Sequence, residues 1–191
     1  MLANMLILFD AEAYNRYSHA LISNPLIYVA EAGLVVLLAT HVILTIQLTL
    51  RNNAAKPVNY KVAAAGAKKT SMISKTMKYQ GALILAFIIL HLITFKFGTW
   101  YDVTYKDGTT MRDLHRLVIE VFQDPAYVAG YIVVLLLVGF HLKHGVASAF
   151  DSLGVSNEKT RPLLKAGAVF YALIVAGGFI SQPIYVYFFA G

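Results

Sequence analysis

Four stretches of this chain are too apolar, over too great a length, to be left in water. Residues 25–50 carry a single formal charge, Glu31. Residues 79–97 carry only Lys96, and residues 125–142 and 166–191 carry none. A membrane-spanning helix needs about 20 mostly apolar residues at 1.5 Å each, and with their flanks all four are long enough. The third is expected to continue as a helix to about Phe150. The spacing therefore predicts helices at about 25–50, 76–98, 125–150 and 163–190, joined by loops at 51–75 and 99–124. Gly177, Gly178 and Pro183 are expected to loosen the last one, which neighbouring helices can compensate inside a bilayer.

Composition narrows the class further. Only 14% of the 191 residues are charged and 58% are hydrophobic, against about 25% charged in a soluble domain. The lipid bilayer is the first partner. The net charge of +6 has no polar body to present it to nucleic acid, so no nucleic-acid partner is expected. With no cysteine, disulfides, thiolate metal sites and iron–sulfur clusters are excluded together. The reading is one all-α integral membrane helical bundle over residues 1–191, with four full transmembrane helices. The apolar opening MLANMLILF is too short to cross and reads as the last turns of a partial N-terminal helix. A polar amphipathic connection follows it.

Loop charge sets the orientation. Arg51, Lys56, Lys61, Lys68, Lys69, Lys75 and Lys78 lie between the first two spans with no acid among them. Lys143, Lys159, Arg161 and Lys165 surround the connection between the last two. The positive-inside rule puts both connections in the cytoplasm and the 99–124 loop outside, with Trp100 and Tyr101 at the outer interface.

The chemistry inside the spans is histidine. His41, His91 and His141 fall one in each of the first three, and an ionisable side chain in hydrocarbon is a functional hypothesis by default. An interhelical hydrogen bond is the plainer role for a single histidine. One in each of three spans shifts the balance toward haem iron, for which imidazole is a common axial ligand. His41 and His141 lie at matched depth on helices running the same way, so they can clamp one iron. His91 lies roughly 10 Å away along the membrane normal by helical rise, which implies a second, outer site. Gly139 and Gly145, with Ala39 and Thr40, leave room beside these ligands. His144 is placed to hydrogen-bond a propionate or to be solvated at a helix end, and His115 and His19 read as outer-surface residues. Glu31 fits proton exchange with a quinone and a simple interfacial carboxylate equally well.

Three segments carry a resemblance: ATHVILTIQLTLRNNAA around His41, SKTMKYQGALILAFIILHL ending at His91, and GFHLKHGVASAFDSLG around His141. The chain resembles the haem b membrane-anchor subunit of succinate dehydrogenase and fumarate reductase, in its single-chain, five-helix, two-haem form. The resemblance implies that His41 and His141 are the axial pair of the inner haem and that His91 is one ligand of the outer haem. The family's remaining outer ligand comes from a first helix whose end Met1–Leu21 resembles, which places that ligand upstream of Met1. It further implies a flavoprotein subunit and an iron–sulfur subunit as partners, a quinone (menaquinone in this class) as substrate, and a bacterial inner membrane as location. On this reading the chain moves electrons and does no succinate or fumarate chemistry itself. The haem b subunit of a membrane hydrogenase or formate dehydrogenase is the alternative in the same class. A non-haem structural anchor is the alternative outside it. An intramembrane zinc protease would need a motif such as HExxH, which is absent.

Overall fold

Inside hydrocarbon every backbone N–H and C=O must be bonded within the protein, and helices satisfy that requirement segment by segment. The computed structural model, which describes residues 2–55 and 72–190, is organised accordingly. A 3-10 segment, Leu2–Leu8, leads to α1, Ala11–Ser23, and α2, Leu26–Ala54. After it come α3, Met72–His91, a π-helical turn at Leu92–Lys96, and the hairpin β1, Asp102–Thr104, with β2, Thr110–Arg112. The chain closes with α4, Leu114–Val121, α5, Pro125–Ser152, and α6, Arg161–Phe189. Four helical stretches, Leu26–Ala54, Thr76–Lys96, Pro125–Ser152 and Arg161–Phe189, are long and apolar enough to cross a membrane. The chain is thus an all-α, multi-pass membrane bundle with shorter helical elements at its N-terminus. The loop between α2 and α3 lies outside the described residues from 56 to 71, and Lys56, Lys61, Lys68 and Lys69 lie there with it.

The chain divides into two compact units. One comprises Met1–His19 with Tyr79–Gly191, and the other is Ala20–Lys78. The second contains α2, whose apolar side chains are largely exposed along its length. That is a wide apolar surface of the kind covered by lipid or by another protein element.

In the first unit α5 and α6 fold back on each other along a seam of small residues. Ala168, Ala172 and Ala176 recur every fourth residue on the buried face of α6, and Gly139 of α5 sits against them. A Cβ at Gly139 would lie 3.0 Å from the Ala176 Cβ. Small residues let membrane helices approach closely, where dispersion replaces the hydrophobic drive available in water. Pro183 interrupts the amide ladder of α6. Around it Ser181 and Gln182 both donate to the Gly178 carbonyl, and Gln123 donates to the Val186 carbonyl from outside the helix.

The core gathers at one end of this unit. Ile7 of the 3-10 segment meets Val118 and Phe122, then Val128, Tyr131 and Leu135 of α5 and Val186 of α6. The N-terminal segment, α4 and the end of α6 are thereby held at that end, the one read as outer. The sequence treated residues 10–25 as a connection and 99–124 as a loop; both contain regular structure. The hairpin turns through Asp107 and Gly108, whose φ of +79° suits a residue without a Cβ. Asp113 caps α4 by accepting from the Arg116 amide, and Asp124 caps α5 by accepting from the Ala126 and Tyr127 amides.

Candidate functional site

Helix α5 carries two of the candidate histidines, and α3 runs past it in the opposite direction. Near its inner half, the half-buried ring of His141 packs on the backbone of Gly81 in α3, where a Cβ would lie 3.6 Å from His141 Cε1. The Nδ1 atom of His141 is buried. Toward the outer end, Nδ1 of His91 lies 3.1 Å from the Tyr131 hydroxyl of α5. The two contacts share one antiparallel register, since moving ten residues along α3 from Gly81 to His91 moves ten back along α5, from His141 to Tyr131. At 1.5 Å per residue the two histidine levels are therefore about 15 Å apart along the pair. The sequence estimate was roughly 10 Å; the register replaces an assumed helix centre with the pairing of Gly81 with His141 and of His91 with Tyr131.

Aromatic rings enclose the outer level. The Tyr131 ring, 6% exposed, lies 4.7 Å from Phe87, 4.9 Å from Phe122 and 5.0 Å from Tyr127, centroid to centroid. His91 itself is exposed, flanked by Phe95 at 5.2 Å and Phe87 at 6.0 Å. The hydroxyls of Thr94 and Tyr127 bond to each other just beyond. Immediately after His91 the helix widens into the π turn, closed by the Phe97 amide donating to the Leu92 carbonyl at 2.9 Å. Such turns recur at functional positions in helices. Gly98 makes this one possible, because a Cβ there would stand 1.8 Å from the Thr94 carbonyl oxygen.

A polar clasp fixes the outer end. Arg112, 8% exposed, donates to the carbonyls of Lys96, Gly98 and Thr99 and stacks over Trp100 at 4.9 Å. Asn15 of α1 donates to the Tyr105 hydroxyl and the Asp113 carboxylate, and it accepts from the His115 amide. Burial pushes the neighbouring Tyr14 phenol up to about 12, with Arg112 opposing. Burial likewise holds the His115 imidazole below its ordinary 6.5, with Asp113 pulling the other way. His115, read from sequence as a solvated loop residue, is half-buried edge-on to Tyr14.

The remaining candidates sit as follows. His144 Nε2 lies 3.4 Å from the Ser148 hydroxyl one turn along α5. His41 lies on α2 in the Ala20–Lys78 unit, exposed, with its carbonyl accepting from the Thr45 hydroxyl. Glu31 is half-buried on the same helix. Of the glycines expected to leave room beside His141, Gly139 serves the α6 seam and Gly145 has no atom within 4 Å of its Cβ position. The glycine that touches the His141 ring is Gly81, which sequence reading passed over. Its signal was present: a glycine inside a helix costs about 1 kcal/mol against alanine and so asks for a local reason.

Among the described residues no three His, Asp or Glu side chains converge to hold a bare metal ion. At each of the two levels one imidazole stands beside glycine or aromatic neighbours, a donor that a porphyrin iron could use. No protein-family model, curated protein or solved structure matches this chain.

Proposed function

We propose that this chain is the membrane-anchoring haem b subunit of a succinate:quinone oxidoreductase, linking an iron–sulfur subunit to a membrane quinone, with menaquinone as the favoured quinone. The observation that carries the reading is the α3–α5 register, which sets His91 and His141 at two levels of one helix pair. One level is backed by a glycine and the other by a tyrosine hydroxyl. Two levels are what two stacked haems would require of the protein. When bound, haem b would supply reversible one-electron transfer.

The chain's own residues would then divide the work. His141 presents its ring from a half-buried position against Gly81, so α3 adds no side chain at that point. His41 is its proposed partner, on matched sequence depth and the family pattern. His91 would serve the outer haem, and His144 with Lys143 would meet propionates near the inner surface. The aromatic rings around Tyr131 bury that side chain and would lower the local dielectric beside a bound redox centre, one way such a centre is tuned.

A dithionite-reduced-minus-oxidised spectrum, with a pyridine haemochromogen count per chain, tests the proposal. A haem b spectrum is expected, with His41→Ala and His141→Ala each removing the inner haem and His91→Ala sparing it. The His91–Tyr131 hydrogen bond also favours a second reading, a non-haem anchor in which histidines join helices. A folded, haem-supplied preparation with no Soret band would establish that reading instead. Copurification of the flavoprotein and iron–sulfur subunits separates the proposal from a hydrogenase or formate dehydrogenase subunit.

A further inference from the structure

An imidazole has two nitrogens, and only an unprotonated one can bind iron. Which nitrogen that is depends on the hydrogen bond made by the other. In His91 the Nδ1 edge is taken up by the Tyr131 hydroxyl at 3.1 Å, while the residue as a whole remains exposed. The hydroxyl is held in place from three sides, because the Phe87, Phe122 and Tyr127 rings all pack on the Tyr131 ring within 5.0 Å. The tyrosine stands at the buried centre of the cluster and the histidine at its edge, so the tyrosine sets the orientation of the pair.

We infer that Tyr131 is the positioning residue for His91: its oxygen accepts the Nδ1 proton and leaves Nε2 as the ligating nitrogen. The inference rests on the haem reading of His91. It adds a residue to that site, on a different helix, whose chemistry is a hydroxyl and not an imidazole. The π turn that follows His91 belongs to the same arrangement, since it places Phe95 against the His91 ring and Thr94 against the Tyr127 hydroxyl.

The test uses the full chain in lipid without added haem, labelled with 15N in the histidine rings and read by solid-state NMR. His91→Gln assigns the His91 signals. The expected wild-type pattern is a protonated Nδ1 and an unprotonated Nε2. Tyr131→Phe, which keeps the ring and its packing, should reduce that form to a minority. Tyr101→Phe removes a hydroxyl bonded to Glu120, outside this stack, and should leave the pattern as it was. In a haem titration, Tyr131→Phe should weaken binding at the His91 level by about 10–100-fold, the usual effect of losing an outer-shell partner. A proton on Nε2 in the wild type, or a pattern unmoved by Tyr131→Phe, overturns the positioning role whatever the haem count. A protonated Nδ1 in a wild type that takes up no haem overturns the haem reading and the role with it. The two failures are thus distinguishable.

Discussion

With its side chain 1% exposed and bonded to Tyr105, Asp113 and the His115 amide, Asn15 is a polar group taken out of water and fully partnered. Deleting it strands several partners at once, and each buried group left unsatisfied costs about 1–3 kcal/mol. Asn15→Ala should therefore destabilise the protein by roughly 2–3 kcal/mol, seen as a lower thermal midpoint in detergent. Asn15→Asp should be worse, because it sets a second carboxylate beside Asp113. The adjacent His115 supplies a pH dependence with a definite sign. Its folded pKa is depressed by burial, so the unfolded chain binds the proton more readily. Its contribution is present above pH 6.5, the unfolded value, and is lost as pH falls toward and through the folded one. The wild-type denaturation midpoint should drop over that window more steeply than that of His115→Gln, and equal slopes would refute this. None of these roles was legible in the sequence, where Asn15 is one polar residue in a polar connection. The intramembrane histidines were legible because hydrocarbon makes each of them an exception.

Helical elements were read well where apolar length alone decides them and poorly where contacts decide. The spans emerge from charge-free runs of the right length, and Pro125 behind Asp124 marks a helix start in sequence and structure alike. The hairpin and α4 were missed although Asp107-Gly108 and the Asp113 cap signal both, because elements of three and eight residues are stable only against the α1 and α6 residues that cover them. Gly139 and Gly145 show the limit most clearly: alike in sequence, one fills a helix seam and the other faces open space. Gly139→Leu should cost about 1–3 kcal/mol or more by overpacking. Gly145→Ala should be neutral or stabilise by up to about 1 kcal/mol through helix propensity. Parallel thermal melts check both. The π turn gives a sharper case. Gly98→Ala drives a Cβ into the Thr94 carbonyl, a backbone atom with no rotamer to change. The turn should open, and the Phe97 amide, bonded to Leu92 in the wild type, should lose its protection from hydrogen exchange. Unchanged exchange at Phe97 would show that the turn closes without the glycine.

At the scale of the whole molecule, two independent lines bear on orientation. Loop charge assigns the 51–75 and 153–160 connections to the cytoplasm. Packing in the first unit gathers Ile7, α4 and Val186 into one cluster, so the N-terminal segment, the 98–124 region and the end of α6 share a face of the membrane. Charge counting cannot see that cluster and packing cannot see the sign of a membrane potential, yet both put 98–124 and 153–160 on opposite sides. The absence of native cysteine makes the arrangement directly testable. Single cysteines at Asp107, in the hairpin turn, and at Glu158, in the α5–α6 connection, are both exposed positions outside the spans. Glu158 is the cleaner inner site because it is one residue from the Asn157 capping bonds without taking part in them. Asp107→Cys breaks the exposed pair with Arg16 and the bonds to Thr109, and solvent screening keeps the loss from the ion pair small. In intact cells a membrane-impermeant maleimide should label Asp107→Cys and spare Glu158→Cys, and permeabilisation should bring the second to the level of the first. Reversed labelling would invert the topology while preserving the fold. Labelling of both in intact cells would break the four-span arrangement itself, because an odd number of crossings must separate the two sites.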